Sequence, residues 1–448
     1  MTTTMKMILG SFSACLAVGA LAAEVSQVTV RQRWPWSRLV DIDYVLSDVT
    51  QSVDIEVSGH NGVNPVDVPA HSLSGDLYGV ASDGLHRIVW DPTVSGCTNQ
   101  GVLAKFSVTL TPTPIPLYMI VDLTKTNGAA DQIQYVYESD LTNGLWGAWV
   151  RNPVTNEGAV IESVVWTGVA TNDLYKTDKL VLRRVPAGSY TMGGQGYTAY
   201  AMNLTKGMYA GVFEVTQKQW ELVMTGEKPS YFSKDYAARP LESRSYNDIR
   251  GATNSTPAVD WPSTDRTVAP GSFLGKLRDR TGLADFDLPT EAQWEYLCRA
   301  GTTTVFNDGA ASAKYEGTVE NNNGNTNGYL AALGRYAWDG GKYWYGDSWE
   351  NATSAFGPTN GTAVVGSYAP NAWGLYDTHG NVWEWCLNWY GTPVSGSDPA
   401  GAVSGSFRVG RGGSWYHSAS YCRSPYRYDL APSSRSYFFG LRLFRTLP

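Results

Sequence analysis

Charge is scarce in this chain of 448 residues: Asp, Glu, Lys and Arg make up 17% of it, and neither sign is gathered into a block. The net charge of −7 offers no basic stripe, which argues against nucleic acid or an anionic membrane as the main partner. Long apolar runs are missing as well. No stretch after the N-terminus approaches the roughly 20 apolar residues of a membrane span, so none is expected. Histidine and cysteine number five each. Cys15, Cys97, Cys298, Cys386 and Cys422 include no C-x-x-C pair, which makes a zinc site a poor reading. Low-complexity tracts are absent too, and 43% apolar content at this length describes a globular chain of two or three domains.

What the chain does have is aromatic side chains and a processed-looking start. Seventeen Trp and 27 Tyr suit an aromatic-rich core or a surface that faces carbohydrate or peptide. Lys6 supplies a positive start, Met7 to Ala20 a short apolar run, and Ala20-Leu21-Ala22 small residues at the spacing a signal peptidase needs. A signal peptide over 1–22 is expected, and with it an exported protein: periplasmic, cell-surface or extracellular. Removal of the signal takes Cys15 with it. The four remaining cysteines, in an oxidising compartment, suggest structural bridges whose pairing the spacing leaves open.

Residues 23–110 read as strands. Val40, Ile42, Tyr44 and Leu46 alternate with Asp41 and Asp43, and Val53, Ile55 and Val57 alternate with Asp54 and Glu56. Ala104, Phe106, Val108 and Leu110 repeat the pattern, which predicts a small all-β sandwich of immunoglobulin or fibronectin type. Thr111-Pro112-Thr113-Pro114-Ile115-Pro116 reads as a stiff linker. Residues 111–178 are then linker plus a small β unit or an extension of the next domain. From Lys179 the texture changes to a few short helices between long loops. Thr216 with Gln219, and Thr290 with Gln293, make capping boxes ahead of Trp220 and Trp294, with stops at Gly226 and Gly301. Ser272 starts another helix that ends near Gly282. A domain so rich in loops needs fasteners, and metal ions and disulfides are the usual ones.

Three stretches in order carry a resemblance. They are Leu288-Pro289-Thr290-Glu291-Ala292-Gln293-Trp294-Glu295-Tyr296 with Cys298-Arg299-Ala300-Gly301; Asn371-Ala372-Trp373-Gly374-Leu375-Tyr376-Asp377 leading into Gly380-Asn381-Val382-Trp383-Glu384-Trp385; and Arg411-Gly412-Gly413-Ser414-Trp415 followed by Cys422-Arg423-Ser424 and Gly440-Leu441-Arg442. Together they resemble the formylglycine-generating enzyme (sulfatase-modifying factor) family over residues 179–446.

For fold, the resemblance implies an α+β domain related to the C-type lectin fold, poor in regular elements and stabilised by calcium. Gly380, Asn381, Val382 and Glu384 match a family calcium site of backbone carbonyls and a glutamate, oxygen ligands of the kind calcium takes. For chemistry, it implies a copper oxidase that holds the metal between two cysteines and turns a substrate cysteine into formylglycine. Counting forward from Gly412, those positions fall on His417 and Cys422. Counting back from Gly440, Cys422 instead falls near a cysteine that bridges to the Cys298 motif, which implies a Cys298–Cys422 disulfide and removes the thiol from copper. The second family bridge has no counterpart, and Cys386 reads as an inert buried thiol. Ser414 and Trp385 match positions lining the oxygen site. Arg427 matches a substrate-contacting arginine, and Phe438 replaces a substrate-binding asparagine. Relatives that use non-haem iron need three clustered histidines, which His60, His71, His86, His379 and His417 do not supply.

Two functions therefore compete. One is a copper-dependent oxidase with an altered site, carried by Cys422, His417, Ser414 and Trp385. The other is a binding module that keeps the fold, has lost or altered the catalysis, and recognises a peptide or glycan through Trp415, Tyr416, Tyr421, Tyr426 and Tyr428, all expected to be exposed. The sandwich in front resembles the spacer of an adhesion protein.

Overall fold

The computed structural model describes residues 23–447 apart from 94–104, 311–329, 338–360 and a few shorter gaps; within 338–360 the backbone of one strand pair, Lys342–Tyr345 with Ser348–Asn351, is described. The expected signal peptide, Cys15, Cys97, His71 and most of the Gly/Asn/Ser-rich stretches at 321–328 and 346–361 lie outside the described residues. The chain divides into two compact units between Ile115 and Pro116.

In the first unit, alternation of apolar and polar residues produces two antiparallel sheets over one core. Glu24–Gln32, Val40–Ser47, Gly84–Trp90 and Leu73–Gly75 lie side by side in that order; Asn64–Val66, Val53–Asn61 and Phe106–Pro114 form the second sheet. Val40, Ile42, Tyr44 and Leu46 face Val53, Ile55, Ile88, Trp90 and Leu110, as their spacing predicts. Asp41 is buried on the opposite side of its strand. Hydrogen bonds from Arg33 and then Arg31 hold its carboxyl down at about 2 against the penalty of burial.

The expected linker is not one. Thr111–Pro114 continues the strand Phe106–Pro114, with Pro112 opposite Ile55 and Pro114 opposite Val53. That strand is the edge of its sheet, a place where a residue without an N–H breaks no ladder.

The second unit is built on a six-stranded antiparallel sheet in the order Phe286–Asp287, Phe444–Thr446, Met208–Gly211, Lys179–Val185, Tyr118–Asp122, Ile133–Val136. Residues 118–136 thus belong to the larger unit and extend it. Among the described residues, five short α-helices accompany this sheet: α1 (Glu138–Thr142), α2 (Gln217–Val223), α3 (Tyr246–Arg250), α4 (Phe273–Thr281) and α5 (Glu291–Arg299). The capping boxes form as expected: Thr216 Oγ1 accepts from Gln219 N and Thr290 Oγ1 from Gln293 N, while each Gln side chain returns to the cap backbone. The apolar faces meet where Trp220 of α2 stacks on Phe273 of α4 at 4.7 Å.

The loops are fastened by buried charge. Arg442 is fully buried; its Nη2 donates to Glu384 Oε1 at 2.7 Å and its Nε to both Glu384 oxygens at 3.0 Å. The same guanidinium donates to the carbonyls of Gly211, Val212 and Tyr376, so one side chain ties two strands and a loop. Arg411 joins Glu295 and Glu291 of α5 to the carbonyls of Ser424 and Tyr426. Arg250 pairs with Asp287 and Arg299 with Glu295. Planar forks paired with carboxylates and carbonyls in this way hold buried charge, whereas loss of one partner from such a pair costs about 3–5 kcal/mol.

Candidate functional site

Strand Trp383–Trp389 lies between antiparallel Arg408–Arg411 and the short parallel strand Phe439–Gly440. Arg408–Arg411 runs into Gly412 and Gly413, whose φ values are +98° and +83°. A Cβ on Gly413 would stand 2.4 Å from Cys422 Sγ, so only glycine lets this turn cross over that thiol. Two bonds stitch the turn to the neighbouring loop: Gly380 N donates to Gly412 O at 2.7 Å and Trp415 N to Asn381 O at 2.8 Å.

The turn delivers His417 into a wall of rings. Its centroid is 5.1 Å from Tyr421, 5.1 Å from Phe438, 5.4 Å from Tyr416, 5.5 Å from Trp383 and 5.8 Å from Tyr428. Tyr426 continues the wall, 4.8 Å from Tyr421. Tyr416, His417, Tyr421, Tyr426, Tyr428 and Phe438 are all half-buried. His417 Nδ1 lies 2.7 Å from Ser414 Oγ and 3.2 Å from Trp383 Nε1. An indole N–H only donates, so Nδ1 accepts and the imidazole proton is assigned to Nε2. Ser414 is buried and its oxygen accepts from Tyr416 N at 3.3 Å.

Cys422 lies directly beneath this turn, hydrogen-bonded with the Ser414 backbone. Its thiol, buried against Gly413, contacts Ser418 O at 3.8 Å and packs with Val305, Phe306 and Leu333, not among the rings. Burial pushes it up to about 12, while a hydrogen bond with the Ser414 backbone pulls the other way. The two positions expected to share copper thus lie in different packing, the imidazole among the rings and the thiol in the apolar cluster below the turn. The Cys298–Cys422 disulfide is not formed: Cys298, Cys386 and Cys422 are all free, buried thiols. Cys298 Sγ has its own partners, Thr378 O and Ser424 Oγ at 3.6 Å, and burial pushes it up to about 11. Between the two cysteines sits His379, whose Nδ1 donates to Cys422 O at 2.7 Å while Nε2 accepts from Asn307 N at 3.1 Å. Burial pulls this imidazole down to about 4, so it is neutral.

The side chains of the expected calcium set, Glu384 and Asn381, are engaged by protein groups. Both Glu384 oxygens are taken by Arg442, and Oε2 also accepts from Trp294 Nε1 at 2.6 Å. Asn381 donates from Nδ2 to Glu214, while its Oδ1 accepts from Ala363 N and its carbonyl from Trp415 N. Among the described residues no group of three His, Cys, Asp or Glu is arranged to hold a metal ion. Beside Glu384, burial pushes the carboxyls of Glu214 and Asp377 upward, Asp377 to about 6.

The other expected residues serve the wall from behind. Trp385 is fully buried, donates to Arg244 O at 3.1 Å and packs on Phe439 at 4.5 Å. Trp415, expected to be exposed, is 1% exposed, because Phe232 meets it at 4.9 Å and its Nε1 donates to Tyr437 O. Arg427 forms a forked ion pair with Glu291 and stacks over Tyr390 at 4.6 Å. Trp383 stands inside the quoted Trp-Glu-Trp motif and His379 just ahead of it, but no pattern in the sequence points to Glu214.

A loop-rich α+β domain, with a Gly-Gly turn laid over a buried thiol and its long loops fastened by buried arginines, defines the class. The chain belongs to the sulfatase-modifying factor enzyme 1-like domain family, whose model matches residues 169–447. It is similar to the formylglycine-generating enzyme of Thermomonospora curvata, 36% identical over 151 residues that cover 32% of this chain and 42% of the relative. It is also similar to the chaperone protein LppX of Paenibacillus barcinonensis, 27% identical over 281 residues, covering 60% of this chain and 90% of the relative. Among solved structures, Treponema denticola variable protein 1 aligns with 60% of this chain and 96% of its own at 25% identity and a TM-score of 0.43. The chain spans about half the length of the formylglycine-generating enzymes it matches. Among the described residues no helix is long and apolar enough to cross a membrane.

Proposed function

We propose that this chain is an exported recognition member of its family, whose aromatic cleft around His417 binds a peptide or glycan and whose copper–thiol oxidation has been lost. One observation carries the reading: the imidazole and the thiol that would share copper face different surroundings, His417 among half-buried rings and Cys422 in the apolar packing beneath Gly413. Rigid rings with polar edges give contact area at little entropic cost, which suits recognition. Phe438, standing at the family's asparagine position, adds a ring in place of an amide. The relative named as a chaperone, matched over nearly its whole length, favours a polypeptide as the first ligand to try.

The test pairs two measurements on the whole protein. A displayed peptide library and a glycan array should yield a ligand whose binding drops about tenfold in Tyr421→Ala and Phe438→Ala, one ring contact each. Copper(I) titration with a cysteine-containing sulfatase peptide should give neither stoichiometric metal nor formylglycine. Tight copper that is lost in His417→Ala, or conversion of the peptide, would restore the alternative of a copper-dependent oxidase acting on a substrate cysteine.

A further inference from the structure

Away from the His417 cleft, a second recess opens where the chain enters the matched domain. The loop after α1, residues 145–148, and the 3-10 turns Gly168–Thr171 and Asp173–Tyr175 line an open recess of about 410 Å³. That volume is within the range of small-molecule sites. Its frame is fixed. Trp166, buried beneath, donates its Nε1 proton to Trp146 O at 2.8 Å, and the rings of Trp146 and Tyr175 meet it edge-on at 5.5 and 4.9 Å. Gly168 N donates to Ala148 O at 2.8 Å. A Cβ on Gly168 would stand 2.9 Å from Trp166 Nε1 and 3.1 Å from Trp146 O, so the loops close together only because that residue is glycine.

No Asp, Glu, Lys, Arg or His lines the cavity. Its polar groups are uncharged. Thr171 gives its hydroxyl proton to Gly168 O at 2.8 Å, which leaves the oxygen to accept. Asn172 Oδ1 accepts from Leu174 N at 3.1 Å, which leaves the amide NH2 as the donor end. Two immobilised aromatic rings, one exposed Leu145 and neutral donors and acceptors match a ligand with an apolar C–H face and a rim of hydroxyls. A charged ligand would find no counter-charge, and an aliphatic one would strip water from Thr171 and Asn172 without replacing it.

We propose that this recess binds a unit of a neutral saccharide, at a site separate from the His417 cleft. The full chain is titrated by calorimetry and tryptophan fluorescence with maltose, cellobiose and diacetylchitobiose. At least one of them saturates. Trp146→Ala weakens that binding about tenfold. Thr171→Trp, an exposed position at the mouth, abolishes it without moving the unfolding midpoint, and Tyr421→Ala leaves it unchanged. Absence of binding by all three sugars, or binding retained in both Trp146→Ala and Thr171→Trp, overturns the proposal. So does loss of sugar binding in Tyr421→Ala, which would assign the sugar to the other cleft. Failure of the cleft reading is seen separately, as peptide binding that ignores Tyr421.

Discussion

Glu384 shows how one residue's meaning changes with its neighbours. In the sequence it is a candidate calcium ligand; in the fold it is the counter-charge of Arg442. Glu384→Gln should therefore destabilise the larger unit by about 3–5 kcal/mol, read from denaturant midpoints, because it leaves a guanidinium buried without its partner. Excess calcium or a chelator should leave the wild-type midpoint where it is; a calcium-dependent rise would overturn the assignment. His379 and Asp377 make a second residue-scale prediction. The imidazole lies at about 4 in the fold against 6.5 when free, so its contribution is present above pH 6.5 and is lost as pH falls toward 4, by up to about 3 kcal/mol. Asp377 is shifted the other way, to about 6, so its contribution is full below its ordinary value of 3.8 and is lost as pH rises through 6. The two slopes oppose each other between pH 4 and 6. Asp377→Asn should unmask a loss of stability on acidification through that window, and His379→Gln should do the reverse; identical pH profiles for both variants would contradict the assignment.

At the scale of elements, local signals were legible where the physics is local. A threonine three residues before a glutamine satisfies orphaned amides whatever the rest of the fold does, and both boxes formed where they were read. Thr290→Ala should cost about 1 kcal/mol, measured by thermal or urea unfolding, with Thr290→Ser close to wild type. The short helix α3 was missed, although Ser245 and Asp248 form its capping box, because five residues carry no apolar period. Trp415 was misread for a related reason: what buries it is Phe232, remote in sequence and brought near only by the fold. Prolines at every second position, as in Thr111–Pro116, resemble a spacer, and only the pairing with Val53–Asn61 distinguishes an edge strand from one.

For the whole molecule, the motifs located the larger unit and its class, and the alternation in the first hundred residues located the two-sheet unit. What holds the larger unit was not legible. Its fasteners join residues such as Arg442 and Gly211, 231 positions apart, and a lone arginine in sequence does not show that it is buried. The number of loops suggested metals and bridges; among the described residues Cys298, Cys386 and Cys422 are free thiols, and guanidinium forks tie the loops. The larger unit should therefore melt at the same temperature with and without reductant. Thiol reagents should label Cys298, Cys386 and Cys422 only after denaturation, as read by peptide mapping. A Cys298–Cys422 linked peptide from native, non-reduced protein would contradict this.

The proline-bearing edge strand of the first unit has a consequence for how copies of the protein behave together. An exposed sheet margin is ordinarily a template on which another chain can lay a further strand, and growth of that kind leads to fibrils. Pro112 and Pro114 present no outward hydrogen to receive such a guest, so that margin cannot seed polymerisation along its last turn of sequence. A protein that carries this many sticky rings gains from having one route to aggregation closed in its own backbone.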